Sequence, residues 1–173
     1  DGVRINIKAA GYARLSAVVN AAHSEIAGLT TVASLDALPF TPDLLIITAP
    51  AASVPEIVAK AAALGIAGAV ILSANLGHGP HSHAAAALAA ASRRGLRLIG
   101  PNCLGLILPE HRLNASFAAH MPGEGSLALI SQSGAIVAAM VDWAAQRKVG
   151  FSGIVSIGDQ LDVDLADCLD YFA

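Results

Sequence analysis

The chain has 173 residues, 55% of them hydrophobic and 13% charged, against about 25% charged in ordinary globular domains. That length can bury a substantial core, and a chain so apolar is not disordered. A formal net charge of −3 without a basic stripe excludes a nucleic-acid reader, and no apolar run reaches the roughly 18–20 residues of a membrane span.

In chain order, residues 2–10 read as a helix with Val3, Ile7 and Ala10 on one face and Gly11 as its end. Residues 15–20 read as a short buried strand, 21–29 as a loop or short helix, Thr31 and Val32 as a brief strand, and 35–42 as a connector. The run DLLIIT at 43–48 predicts a buried strand. A helix over 53–64 follows, with Pro55 in its first turn and Gly65 past its end. The next strand is 67–73; a loop then leads to an alanine-rich helix over 81–94. A strand at 96–99 ends in a rigid turn, GPNCLG, at 100–105. Residues 106–125, with their prolines and glycines, read as a loose inter-domain connection. After it come a strand at 127–130, a turn SQSG at 131–134 and a helix ending at Arg147-Lys148, with Gly150 as the stop signal. A strand at 153–157 and a helix at 164–172, N-capped by Asp164, complete the order.

Strands alternating with helices imply parallel strands joined by right-handed crossovers, hence an α/β doubly wound parallel sheet. Ligands in such sheets sit at the carboxyl ends of the strands. The loops there are 20–23, 48–52, 73–79, 100–105, 131–134 and 158–162. In the turn at 131–134, Ser131, Ser133 and Gly134 stand where a strand feeds a helix. That arrangement suits either a phosphate or carboxylate held by backbone N–H groups or a plain serine N-cap, and the spacing does not choose between them.

Other motifs fail their structural context. GEGSLA at 123–128 has the dinucleotide spacing but precedes a strand, so it is a turn and an NAD enzyme is disfavoured. Ser133 lacks the glycine two residues before it that a nucleophile elbow needs, because Ser131 stands there. His78, His81 and His83 could hold zinc or nickel but read as a solvated turn, and no metal site is assigned. Asp167 and Asp170 fall on an exposed helix face, while Asp159 and Asp162 stay open between a site role and a structural one. Cys103 reads as a small buried hydrophobe. Cys103 and Cys168 make no disulfide or metal pattern and no secretory signal opens the chain, which points to a cytoplasmic protein. The chain starts at Asp1 without a methionine and stops inside a predicted helix, so it is read as a piece of a longer protein.

The segments LIGPNCLGLI (98–107), LNASFA (113–118), LALISQSGA (127–135) and GFSGIVSIGDQLDVDLADCLDYF (150–172) together resemble the NDP-forming acyl-CoA synthetases, relatives of the succinyl-CoA synthetase α subunit. The resemblance covers nearly the whole chain. It implies a CoA-binding Rossmann-like domain over residues 1–122, lacking its first strand and glycine-rich loop. It implies the first part of a succinyl-CoA-ligase-like flavodoxin domain over 123–173. Carried over by residue, it places Thr48, Ala49, Pro50, Ser73, Ala74 and Asn75 along the CoA nucleotide and Pro101, Asn102 and Cys103 near the thiol end. Asn20 joins the CoA set, and Ser131, Ser133 and Gly134 bind phosphate or a phosphohistidine. The implied reaction is acyl-CoA + ADP + phosphate ⇌ acid + CoA + ATP. Its implied partners are CoA or acyl-CoA, phosphate, and a nucleotide-binding domain or subunit in an oligomer; ADP/ATP and Mg belong with domains outside this chain.

Three departures accompany the resemblance. Ala22 stands where the family usually has a lysine, the loop over 75–83 differs from the common pattern, and no histidine here matches the phosphohistidine. Alone, the chain is expected to catalyse nothing complete. The alternative implied role is the CoA- or acetyl-CoA-sensing region of a fused GNAT-type protein lysine acetyltransferase, with which Asp159 is compatible.

Overall fold

The computed structural model describes residues 2–26 and 28–173. Asp1, at the head of the expected first domain, and Ala27, in the expected 21–29 loop, lie outside them. The organising element is a three-stranded parallel sheet of β4 (Leu44–Ile47), β5 (Gly68–Ile71) and β6 (Arg97–Ile99), in that order. Successive side chains of a strand point to opposite faces, and both faces here are covered. Ile47, Ala69, Ile71 and Leu98 pack on helices α2 (Val54–Ala63) and α3 (His83–Ser92) through Val58, Ala61, Ala87 and Ala91. Val70 and Leu72 point the other way, into a cluster with Val3 and Ile7 of α1 (Gly2–Ala9) and with Leu106, Leu113 and Ala115. The alanines of α3 let it lie close against α2, and Ser82 caps α3 by accepting from the Ala85 N–H at 3.1 Å.

A second, mixed sheet runs β8 (Leu113–Ser116), β7 (Gly105–Leu108), β10 (Gly150–Ser156), β9 (Gly123–Ser131). β9 and β10 are parallel and joined by α4 (Gly134–Arg147), whose Val137, Val141 and Ala144 are buried against Ile107, Phe151 and Ile154. On the opposite face α5 (Leu165–Phe172) places Cys168 against Val155 and Ile157. Gly153 is required there: a Cβ would come within 2.5 Å of the Phe172 ring. A small sheet, β1 (Val18–Val19), β3 (Leu29–Val32) and β2 (Glu25–Ile26), completes the described structure.

Five expectations about individual elements are corrected. GEGSLA at 123–128 is not a turn but the first part of β9. Residues 106–125 are not a loose connection. Pro109 starts a 3-10 turn between β7 and β8, which pair antiparallel, and β7 pairs antiparallel with β10. The polar letters of LNAS disguised a strand whose four residues are all buried. Asn114 Oδ1 accepts from Ser116 Oγ at 2.6 Å, the Ala118 N–H donates to Ser116 Oγ at 3.1 Å, and Asn114 Nδ2 donates to the Ala118 carbonyl at 3.3 Å. Asn6 Nδ2 of α1 donates to the Ser116 and Ala118 carbonyls. Burial is therefore tolerated because each polar group finds a partner. The strand expected at 15–20 shrinks to two half-buried residues, with Leu15 79% exposed, since among the described residues β1 pairs with β3 alone. The 21–29 segment holds β2, hairpinned to β3, instead of a loop or helix. Finally, α4 stops at Lys148 in the left-handed conformation (φ 56°), while Gly150 opens β10, where a Cβ would strike the Glu124 carbonyl.

Replacing Asn114 by Ala takes the acceptor from the buried Ser116 hydroxyl and the Asn114 donor from the His120 carbonyl, while the Ala118 carbonyl keeps Asn6. It is expected to cost about 2 kcal/mol of unfolding free energy, read from denaturant melts followed by circular dichroism. An unchanged midpoint would show that the network does not stabilise the fold.

Candidate functional site at the carboxyl ends of the strands

Three loops leave the carboxyl ends of the parallel sheet, and hydrogen bonds stitch them together. Ser73, after β5, donates its hydroxyl to the Ala49 carbonyl in the loop after β4. Its own carbonyl accepts from the Asn102 N–H in the turn after β6, at 2.9 Å. Thr48, Pro50, Ala74, Asn75 and Asn102 are exposed on this surface, Ala49 and Ser73 are half-buried, and Pro101 and Cys103 are buried. Asn75 and Asn102 adopt left-handed conformations with φ of 64° and 56°, which asparagine tolerates better than most residues. Gly100 (φ 95°) is obligatory, because a Cβ would collide with the Ile71 carbonyl and come within 3.1 Å of Cys103 Sγ.

The loop after β10 lies on the turn after β6. Its Asp159 and Leu161 N–H groups donate to the Pro101 and Gly100 carbonyls at 3.0 and 2.9 Å. Asn102 Nδ2 donates to Asp159 Oδ1 at 3.2 Å. Together Asn75, Leu76, Gly77, His78, Asn102 and Asp159 line a recess of about 380 Å³. Of these only Asn75 and Asn102 belong to the residues expected to bind CoA. Leu76, Gly77 and His78 follow Asn75 in sequence, but their part in the recess depends on how the loop returns to α3. Asp159 and Asp162, undecided by sequence, are separated by the fold. Asp162 accepts from the Leu98 N–H at 2.7 Å and from Arg97 Nε at 3.0 Å, while Arg97 also pairs with Asp167 at 2.9 Å. The hydrogen bond that Arg97 donates to Asp162, with the charges of both carboxylates, raises the Arg97 pKa above its ordinary value. His78, His81 and His83 are all exposed, and no group of three potential ligands is assembled for a metal among the described residues.

The turn after β9 sits next to this surface, since Ser131 pairs with Ser156 at the end of β10 and Ile157 donates to the Ser131 carbonyl at 2.9 Å. Ser133 is the N-cap of α4, accepting from the Ile136 N–H at 3.3 Å, and Ser131 Oγ accepts from the Ser133 N–H at 3.1 Å. Gly134 is the first helical residue, and its bare Cα faces Leu104, where a Cβ would come within 3.2 Å. Asn20 stands apart. Its side chain accepts from the Ala22 and His23 N–H groups at 2.8 and 2.9 Å, folding its own turn. No side-chain hydrogen bond joins it to the other strand-end loops among the described residues.

Cys103 is buried, and its thiol donates to the Ile71 carbonyl at 3.4 Å. Burial pushes its pKa from 9.0 up to about 12. Burial likewise raises that of Cys168. A raised folded-state pKa means stability that is complete below pH 9 and lost as the pH climbs from 9 towards about 12. At pH 8 a disulfide-exchange reagent is expected to leave both thiols of the folded chain unreacted and to titrate both after denaturation. Rapid labelling of folded Cys103 would contradict the burial.

Residues 7–109 match the family model described as CoA binding domain, and residues 124–173 match the succinyl-CoA ligase like flavodoxin domain. The chain is 37% identical over 158 residues to an ADP-forming acetate–CoA ligase I of Archaeoglobus fulgidus, covering 90% of this chain and 23% of that protein. It is 33% identical to the α subunit of ADP-forming acetate–CoA ligase II of Pyrococcus furiosus, covering 90% and 34%. The fold superposes on the dinucleotide forming acetyl-coenzyme A synthetase 1 of Ca. Korarchaeum cryptofilum, in complex with phosphate and ADP. There the TM-score is 0.90 and the identity 28%, over 99% of this chain and 37% of that one. The chain thus spans about a quarter to a third of the length of these curated relatives. The relatives favour the ligase expectation and not the acetyltransferase alternative. With more than half of its residues matched by the first of these models, the chain belongs to the CoA binding domain family.

Proposed function

We propose that the chain is the α-type portion of an NDP-forming acyl-CoA synthetase of the acetate–CoA ligase kind. Within a longer protein it would take part in acyl-CoA + ADP + phosphate ⇌ acid + CoA + ATP. The observation that carries this reading is the match to the CoA binding domain over 7–109, in a chain whose strand-end loops converge on one surface. CoA lies across Thr48, Ala49, Pro50, Ser73, Ala74 and Asn75, with its arm running to Pro101, Asn102 and Cys103. Cys103 contributes backbone only, its thiol being turned into the core. Asn20 shapes the neighbouring turn, and Ala22 supplies no charge there. Ser131, Ser133 and Gly134 receive phosphate at the start of α4, where the helix dipole favours an anion.

The division into a CoA-binding unit up to about residue 122 and a ligase unit beyond it is supported by the two matched segments. In this reading ADP/ATP and Mg are held by a nucleotide-binding domain or partner subunit, as the subunit organisation of the Pyrococcus furiosus relative suggests. The assembly is an oligomer. Two buried free thiols suit a reducing cytoplasm, and no helix among the described residues is long and apolar enough to cross a membrane.

The test is a calorimetric titration of CoA, then acetyl-CoA, into the full-length protein, with NAD as control. Saturable heats for the CoA compounds and none for NAD are the expected result. A flat CoA titration would overturn the reading.

A further inference from the structure

The recess between the loops after β5, β6 and β10 has a lining that restricts what it accepts. It offers one carboxylate, one imidazole and two side-chain carboxamides, and it contains no lysine or arginine. Its volume, about 380 Å³, is at the lower end of the roughly 300–1,000 Å³ of small-molecule sites. Asp159 is fixed in it by its own N–H on the Pro101 carbonyl and by Asn102 Nδ2 on Oδ1. Oδ2 has no protein donor among the described residues. A carboxylate so placed repels phosphates and free carboxylic acids and accepts from neutral N–H groups. CoA has both kinds of chemistry: a polyphosphorylated nucleotide at one end, and at the other an uncharged pantetheine arm with two secondary amides and a thiol.

Building on the CoA reading above, we infer that this recess takes the pantetheine arm, with Asp159 Oδ2 accepting from one of its amide N–H groups. Asp159 then sets the direction in which CoA lies on the surface. The nucleotide is kept towards the loop after β4 and the Ser73 end of the loop after β5, away from the carboxylate, and the arm is drawn under the loop after β10. Asn102 is the positioning residue, acting through the Asp159 carboxylate it holds.

The sign of one substitution decides the matter. Asp159→Asn in the full-length protein keeps an oxygen for Asn102 but turns the second oxygen into a donor. Calorimetry with CoA is expected to show binding weakened about tenfold, with the thermal midpoint unchanged. Asp162→Asn removes the same charge from the same loop on its Arg97 side, keeps an oxygen to accept from the Leu98 N–H, and is expected to leave CoA affinity unchanged. Tighter or equal binding by D159N would overturn the inference, because loss of a negative charge beside phosphates should help them. An equal loss in both variants would overturn it too, by showing a general effect of the loop. If the unaltered protein binds no CoA, the CoA reading fails and this inference with it. If it binds CoA and D159N does not weaken it, only this inference fails.

Discussion

The contact on which the site depends is the backbone pairing of the loop after β10 with the end of β6. Asp159, Leu161 and Val163 donate in turn to the carbonyls of Pro101, Gly100 and Leu98, at 3.0, 2.9 and 3.0 Å, so residues 159–163 run alongside β6 and its turn like a short added strand. Two glycines permit it. Gly100 (φ 95°) and Gly158 (φ 55°) both occupy left-handed backbone, and a Cβ on Gly158 would strike the Pro101 carbonyl. Any side chain at 158 would push the loops apart and carry Asp159 out of reach of Asn102. Arg97, with Asp162 and Asp167, straps the outer side of the same seam. Those groups are partly exposed, so the pair itself adds little; the Asp162 bond to the Leu98 N–H is the part that fixes the backbone.

A second polar seam lies on the far side of the parallel sheet. Asn6 donates to the Ser116 and Ala118 carbonyls, and the Asn114 side chain accepts from the Ser116 hydroxyl and donates to the Ala118 carbonyl, where α1 meets β8. Ser156, buried at the end of β10, accepts from the Leu104 N–H at 2.9 Å and so anchors the tail of the turn after β6. The apolar clusters on either side would hold these layers together in several nearly equal registers. The satisfied polar seams select one, since any slip leaves a buried donor or acceptor without a partner.

This explains what was legible in the sequence. The strands DLLIIT and AGAVILS and the helices behind them were plain because apolar periodicity and glycine stops are local signals. The capping role of Asp164 was plain as well, and the structure completes it as a capping box with Asp167. β8 was missed because Asn114 and Ser116 look like loop residues until their partners, some from a helix more than a hundred positions away, are known. The end of α4 at Arg147-Lys148 was legible, but its stop signal was misassigned to Gly150, because Lys148 adopts the left-handed conformation in which a glycine is expected. At the site, the strand-end loops could be named from alternation alone. Asp159 and Asp162 could not be told apart, because only the pairing with β6 turns one towards the recess and the other towards Arg97.

The same logic bears on the choice between a cap and an anion site at 131–134. Ser133 Oγ accepts the Ile136 N–H, which occupies one of its two lone pairs and leaves its proton to donate. Ser131 Oγ likewise accepts from the Ser133 N–H, while its own proton has only the Ser133 carbonyl at 3.4 Å, a weak partner. The Gly134 and Ala135 N–H groups precede the capped amide at the positive end of α4. Capping therefore orients two hydroxyl protons and the first helical amides without consuming them, so the two roles are successive uses of one geometry. On the proposed reading this places an anion-seeking turn at the end of β9 beside an anion-repelling carboxylate after β10. The phosphoryl and thioester ends of the reaction would then be sorted by the opposite signs of two adjacent loops.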